Sequence, residues 1–213
     1  MIMKKLLILL VAFAFPALTF GQQDRYQQSM LRAIERVNSA SSINEYQDAA
    51  NIFERIAQAE KTEWLPLYHA GHIYVMIAIE EPDLKAKDHY LDKAQEFVDR
   101  ALKNAPDESE LFALQAFIYP IRMSIDPMVR GMELFDRLNA ALDRAIRLNP
   151  ENPRGHYLRA ITTLNMPEAF GGGPAAAKPI FVTAKEKFDN FKPESPLWPD
   201  WGKEHNEEEL NKL

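Results

Sequence analysis

Cysteine is absent from all 213 residues. That excludes disulfides, thiolate catalysis, cysteine metal ligands and a lipid attached to a cysteine. The period-two alternation of half-buried strands is missing too, and every apolar pattern follows helical spacing. Beyond residue 21 no apolar run approaches the roughly 20 residues that cross a bilayer. Basic residues are outnumbered, 25 Lys and Arg against 31 Asp and Glu, which argues against a nucleic-acid partner because phosphate neutralisation needs a cationic surface. No HExxH, no paired acids and no serine–histidine–carboxylate set matches a nucleophile motif. The chain reads as non-enzymatic, with no cofactor and no metal site.

What is present begins with Lys4 and Lys5, the apolar run Leu6 to Phe15, the breaker Pro16 and small residues at Thr19 and Gly21. This order predicts a secretory signal peptide over 1–21. The mature chain is then exported, periplasmic or secreted, soluble and without a membrane span. Without disulfides it depends on its apolar core, which about 190 residues can supply.

The remainder reads as all-α. Leu138, Leu142 and Ala145 form one apolar stripe, Asn149-Pro150 ends that helix, and Asn152-Pro153 caps the next. This helix–turn–helix recurs. Ala49, Ala94, Leu138 and Ala184 are spaced 45, 44 and 46 apart. Phe53, Val98, Leu142 and Phe188 keep those intervals, as do Ile56, Ala101, Ala145 and Phe191, and Lys61, Pro106, Pro150 and Pro196. On the opening helices, Gly71, Ala116 and Ala160 follow at 45 and 44. Small residues let two helix backbones approach while larger ones three or four positions on fill the gap. Each pair leaves an apolar face that only another pair covers, so the pairs must stack.

Leu67-x-x-Ala70-Gly71-x-x-Tyr74 followed by Ala94-x-x-x-Val98-x-x-Ala101-x-x-x-x-Pro106 resembles the tetratricopeptide repeat (TPR). Phe112-x-x-Gln115-Ala116-x-x-Tyr119 followed by Leu138-x-x-x-Leu142-x-x-Ala145-x-x-x-x-Pro150 does the same. The resemblance covers about Glu45 to Pro196 and implies a right-handed superhelix of antiparallel pairs, about four hairpins with a short C-terminal capping helix. The period exceeds the family's 34 by about ten residues. The excess falls within each pair, near Glu80–Tyr90, Ile121–Gly131 and Met166–Lys178, and predicts longer helices or elaborated loops. Domain limits are 22–192 for the repeats and 193–213 for a Pro/Trp-rich tail and capping helix. Pro193, Pro196 and Pro199 forbid a helix there, while Leu197, Trp198 and Trp201 predict a segment lying extended against the last pair.

The resemblance places partner recognition on the concave face, at Tyr68, His72, Phe117, Arg154 and Tyr157. Aromatic rings with an arginine suit an extended peptide or an amphipathic small molecule. The preferred reading is an interaction module for a protein or peptide; the alternative is a small apolar molecule or lipid, as a periplasmic component of a transport or envelope system. The tail can also half-fill this face. His69 and His72 lack a third ligand at metal spacing and read as hydrogen-bonded surface histidines. Phe170-Gly171-Gly172-Gly173-Pro174 lacks the lysine and hydroxyl of a phosphate loop and reads as a turn. Arg130, Arg137, Arg144, Arg147, Arg154 and Arg159 read as a solvated, ion-paired face.

Overall fold

The computed structural model describes residues 23–213; the signal-peptide expectation over 1–21 lies outside them. Helix α1 spans 23–38, followed by α2 (Ile43–Ala59), α3 (Leu65–Glu80), α4 (Leu84–Asn104), α5 (Ser109–Ile125), α6 (Pro127–Leu148), α7 (Pro153–Asn165), α8 (Pro174–Asn190) and α9 (Lys203–Lys212). Among the described residues there is no strand. The chain is an all-α stack of antiparallel helix pairs with a TPR-like repeat.

Local chemistry sets the boundaries. The side chains of Ser42, Asp83, Asp126 and Asn152 accept backbone N–H bonds at the starts of α2, α4, α6 and α7, satisfying donors that a helix leaves unpaired. Prolines follow at the first position of α6, α7 and α8, where no N–H is needed. The extra length per pair is taken up in two ways. In the middle pairs it lengthens α4 to 21 residues and α6 to 22. In the last pair it becomes a loop, where Gly171 and Gly173 have φ of 84° and 91° and a Cβ on Gly172 would lie 2.2 Å from the Met166 carbonyl oxygen. Only glycine fits that turn.

Three of the four columns point inward, while the fourth, Lys61, Pro106, Pro150 and Pro196, is exposed in the turns that follow the helices. Ala49, Ala94, Leu138 and Ala184 are buried, as are Phe53, Val98, Leu142 and Phe188. In the third column Phe191 departs: it lies just past the end of α8, half-buried, because that helix stops one residue short. The close approach that the small residues permit is visible at Gly71, where an added Cβ would sit 3.4 Å from the Ala94 carbonyl.

After α8 the chain does not stay on the last pair. Residues 191–202 cross the concave face as far as α3, where Trp198 packs edge-on against Trp64 at 5.5 Å. The largely apolar α3 gives the tail's rings an apolar wall to cover. The chain then returns as α9, which caps α8 through Asn206 Nδ2 donating to the Phe181 carbonyl and Lys203 pairing with Asp189.

Enlarging a column residue should overpack this seam. Ala94→Leu is expected to cost about 1–3 kcal/mol, lowering the melting temperature by roughly 2–4 °C per kcal/mol. Urea denaturation followed by circular dichroism checks it, and an unchanged midpoint contradicts the inward placement.

Candidate functional site

The concave face is built from α3, α5 and α7, whose first halves carry the five expected residues. The structure gathers all five around one side chain of the tail, Trp201. The indole stacks on His72 at 5.0 Å and on Phe117 at 5.3 Å, and Tyr157 meets it at an angle at 6.3 Å. Its Nε1–H donates to the Tyr68 hydroxyl at 2.8 Å. The Arg154 guanidinium lies over it at 5.4 Å. Gly202 turns the chain away with φ 102°, 3.0 Å from the Phe188 ring for any added Cβ.

Arg154 departs from the solvated arginine face. It is 1% exposed, its Nη1 pairs with Glu110 at 2.8 Å, and its Nη2 donates to the Pro199 carbonyl. Glu110 Oε2 and Arg154 Nε find no partner in the protein. Burial pushes the Glu110 carboxyl up to about 7, against the pull of Arg154. Arg130, Arg137, Arg144 and Arg159 do form ion pairs, with Asp88, Glu133, Asp107 and Asp143.

The two histidines are half-buried rather than fully at the surface, because the tail lies against them. His69 Nε2 donates to the Leu197 carbonyl at 2.8 Å. His72 Nε2 is shut off from solvent with no hydrogen-bond partner. Burial, with Arg154 adding to it, pulls both imidazoles down from 6.5, His69 to about 4 and His72 to about 3. Among the described residues no three histidine or carboxylate groups gather at metal-binding distance. In the glycine loop the amides of Gly171, Gly172 and Gly173 donate to the carbonyls of Glu168, Pro167 and Thr163, so none is left for a phosphate.

The second halves of α3, α5 and α7 stay open. Between them lies a groove of about 350 Å³, within the size range of small-molecule sites. Its walls are Ile79, Phe117, Pro120, Ile121, Leu158 and Ile161, with Lys87, Ser124 and Thr162 as its polar members. Phe117 and Tyr157 belong both to the groove and to the Trp201 cluster. Ile79 and Ile121 continue the concave stripes of His72 and Phe117 by seven and four residues, a helical spacing that pointed to them. Lys87 comes from the neighbouring α4 and follows from no stripe.

The structure is similar to that of the HusA haemophore from Porphyromonas gingivalis, with a TM-score of 0.78 and 25% identity over 87% of this chain and 90% of that one. It is also similar to a thermophilic TPR protein from Thermus thermophilus, with a TM-score of 0.58 and 16% identity over 77% and 75%. No protein-family profile and no curated protein matches the sequence.

The buried histidines make stability pH-dependent. Their folded values lie below 6.5, so their contribution is fully present above that pH and is lost as pH falls toward the folded values. Glu110 acts oppositely between 4.5 and about 7, one carboxyl against two imidazoles. The melting temperature should therefore fall as pH drops from 6.5 toward 4. His72→Phe keeps a stacked ring and removes one proton, so it should flatten that slope; calorimetry across the range checks it, and an unaltered slope contradicts the burial of His72. Separately, Arg154→Met should destabilise the fold by about 3 kcal/mol and red-shift tryptophan emission as the tail loosens.

Proposed function

We propose that this protein is a binding module, without a catalytic step, for a flat apolar small molecule of the haem class held in the open half of its concave face. One observation carries the reading: beside the tail, an apolar groove remains at the junction of three helices, walled by isoleucine, leucine, proline and phenylalanine. Likeness to a haemophore along nearly the whole chain supports the ligand class. Among the described residues the groove walls include no histidine or methionine, and the Tyr157 hydroxyl is hydrogen-bonded to His205 Nδ1 at 2.8 Å. The grip is therefore apolar contact rather than an iron ligand.

A protein or peptide partner is the second reading. It is favoured by the fact that Tyr68, His72, Phe117, Arg154 and Tyr157 already hold an extended segment, the chain's own tail. An outside peptide there has to displace Trp201, so Trp201→Ala should increase capture of such a partner from an envelope extract.

For the small-molecule reading, titration of haem and of iron-free protoporphyrin, followed by absorbance and tryptophan quenching, should give affinities within about threefold of each other, since neither depends on an iron bond. Ile121→Asp and Ile161→Asp put a charge on the groove wall and should weaken both by at least roughly tenfold, given the cost of burying an unpaired carboxylate. Undiminished binding by folded Asp variants overturns the site.

A further inference from the structure

Among the described residues the groove has one charged side chain on its walls, Lys87. It lies near the start of α4, half-buried, and a lysine at an apolar wall lays its stem on that surface while keeping its ammonium in water. Among the described residues no carboxylate lies within ion-pairing distance of it. The acids around it are committed elsewhere. Asp83 caps α4 by accepting from Ala86 N–H at 2.8 Å, and Asp88 is held by Arg122 and Arg130. The first turn of α4 carries no acid of its own. A cation near a helix N-terminus is unfavourable in itself, since that end already bears partial positive charge. The ammonium, which that helix end disfavours, therefore favours an anion at the groove's wall. The hydroxyls of Ser124 and Thr162 donate to the carbonyls of Ile121 and Leu158, which leaves Lys87 as the wall's free side-chain donor.

We propose that Lys87 is the anion-recognising group of this site and that its ligand is an amphipathic acid, an apolar body between α3, α5 and α7 with its carboxylate at the Lys87 ammonium. This rests on the reading of the groove as a small-molecule site and deepens it by naming the group that recognises an acid at one edge of the ligand. The lysine supplies orientation, because the apolar walls alone do not distinguish one end of a flat molecule from the other.

The test compares protoporphyrin, which carries two carboxylates, with its dimethyl ester, on the full-length mature protein, by tryptophan quenching. The wild type should bind the acid roughly tenfold tighter than the ester, a preference that shrinks between about 20 mM and 500 mM salt as the pair is screened. Lys87→Met keeps the apolar stem and should bind both probes equally, at the wild type's affinity for the ester; Lys87→Arg should restore the preference. Equal binding of acid and ester by the wild type, or a preference that survives in Lys87→Met, overturns the role of Lys87 and leaves the groove standing. Failure of both probes to bind overturns the groove and this proposal with it.

Discussion

A pair of antiparallel helices cannot bury both of its faces, and the rest of the structure follows from that. Stacking solves the problem between pairs by setting small residues against large ones at a repeat near 45 residues. It leaves two surfaces unsolved. One is the end of the stack, which α9 covers with an acidic, water-facing helix. The other is the concave face, where α3 and α5 are apolar on nearly every side and need a cover that no neighbouring pair can give.

The tail supplies part of that cover. It brings two tryptophans and a leucine to the first halves of the concave helices, and it pairs its backbone carbonyls with His69 and Arg154. A buried Arg–Glu pair is poor evidence of stability in itself, since desolvation consumes most of the attraction. Here it fixes position, because the guanidinium joins α5, α7 and the Pro199 carbonyl at one point. The second halves of the same helices remain uncovered, and their apolar walls form the groove. Filled and open halves meet at Phe117 and Tyr157, so whatever sits in one is felt by rings that also pack against the other.

The fold was legible in the sequence to within a few residues at most helix ends, because proline, asparagine and aspartate mark those ends with backbone chemistry that tertiary contacts do not override. Columns such as Ala49, Ala94, Leu138 and Ala184 were legible for a similar reason: a buried seam tolerates few side-chain sizes. The candidate site was less so. The resemblance to the tetratricopeptide repeat placed Tyr68, His72, Phe117, Arg154 and Tyr157 on one face, and they meet around Trp201. Spacing within a helix carries no information about a tail 45 to 128 residues away, so the covering of His69, His72 and Arg154 had no local signal. Lys87 escaped for a different reason: it approaches the groove from a helix whose stripe faces the core.

Contacts within the stack join residues close in sequence, while the Trp201–Tyr68 hydrogen bond spans 133 positions. Local contacts form early, and distant ones wait on loop closure. A chain made from its N-terminus can assemble every helix pair before residue 201 exists. The concave surface is therefore born bare and acquires its lining last, and a chain cut short after α8 keeps its repeats while exposing aromatic side chains to whatever else will cover them.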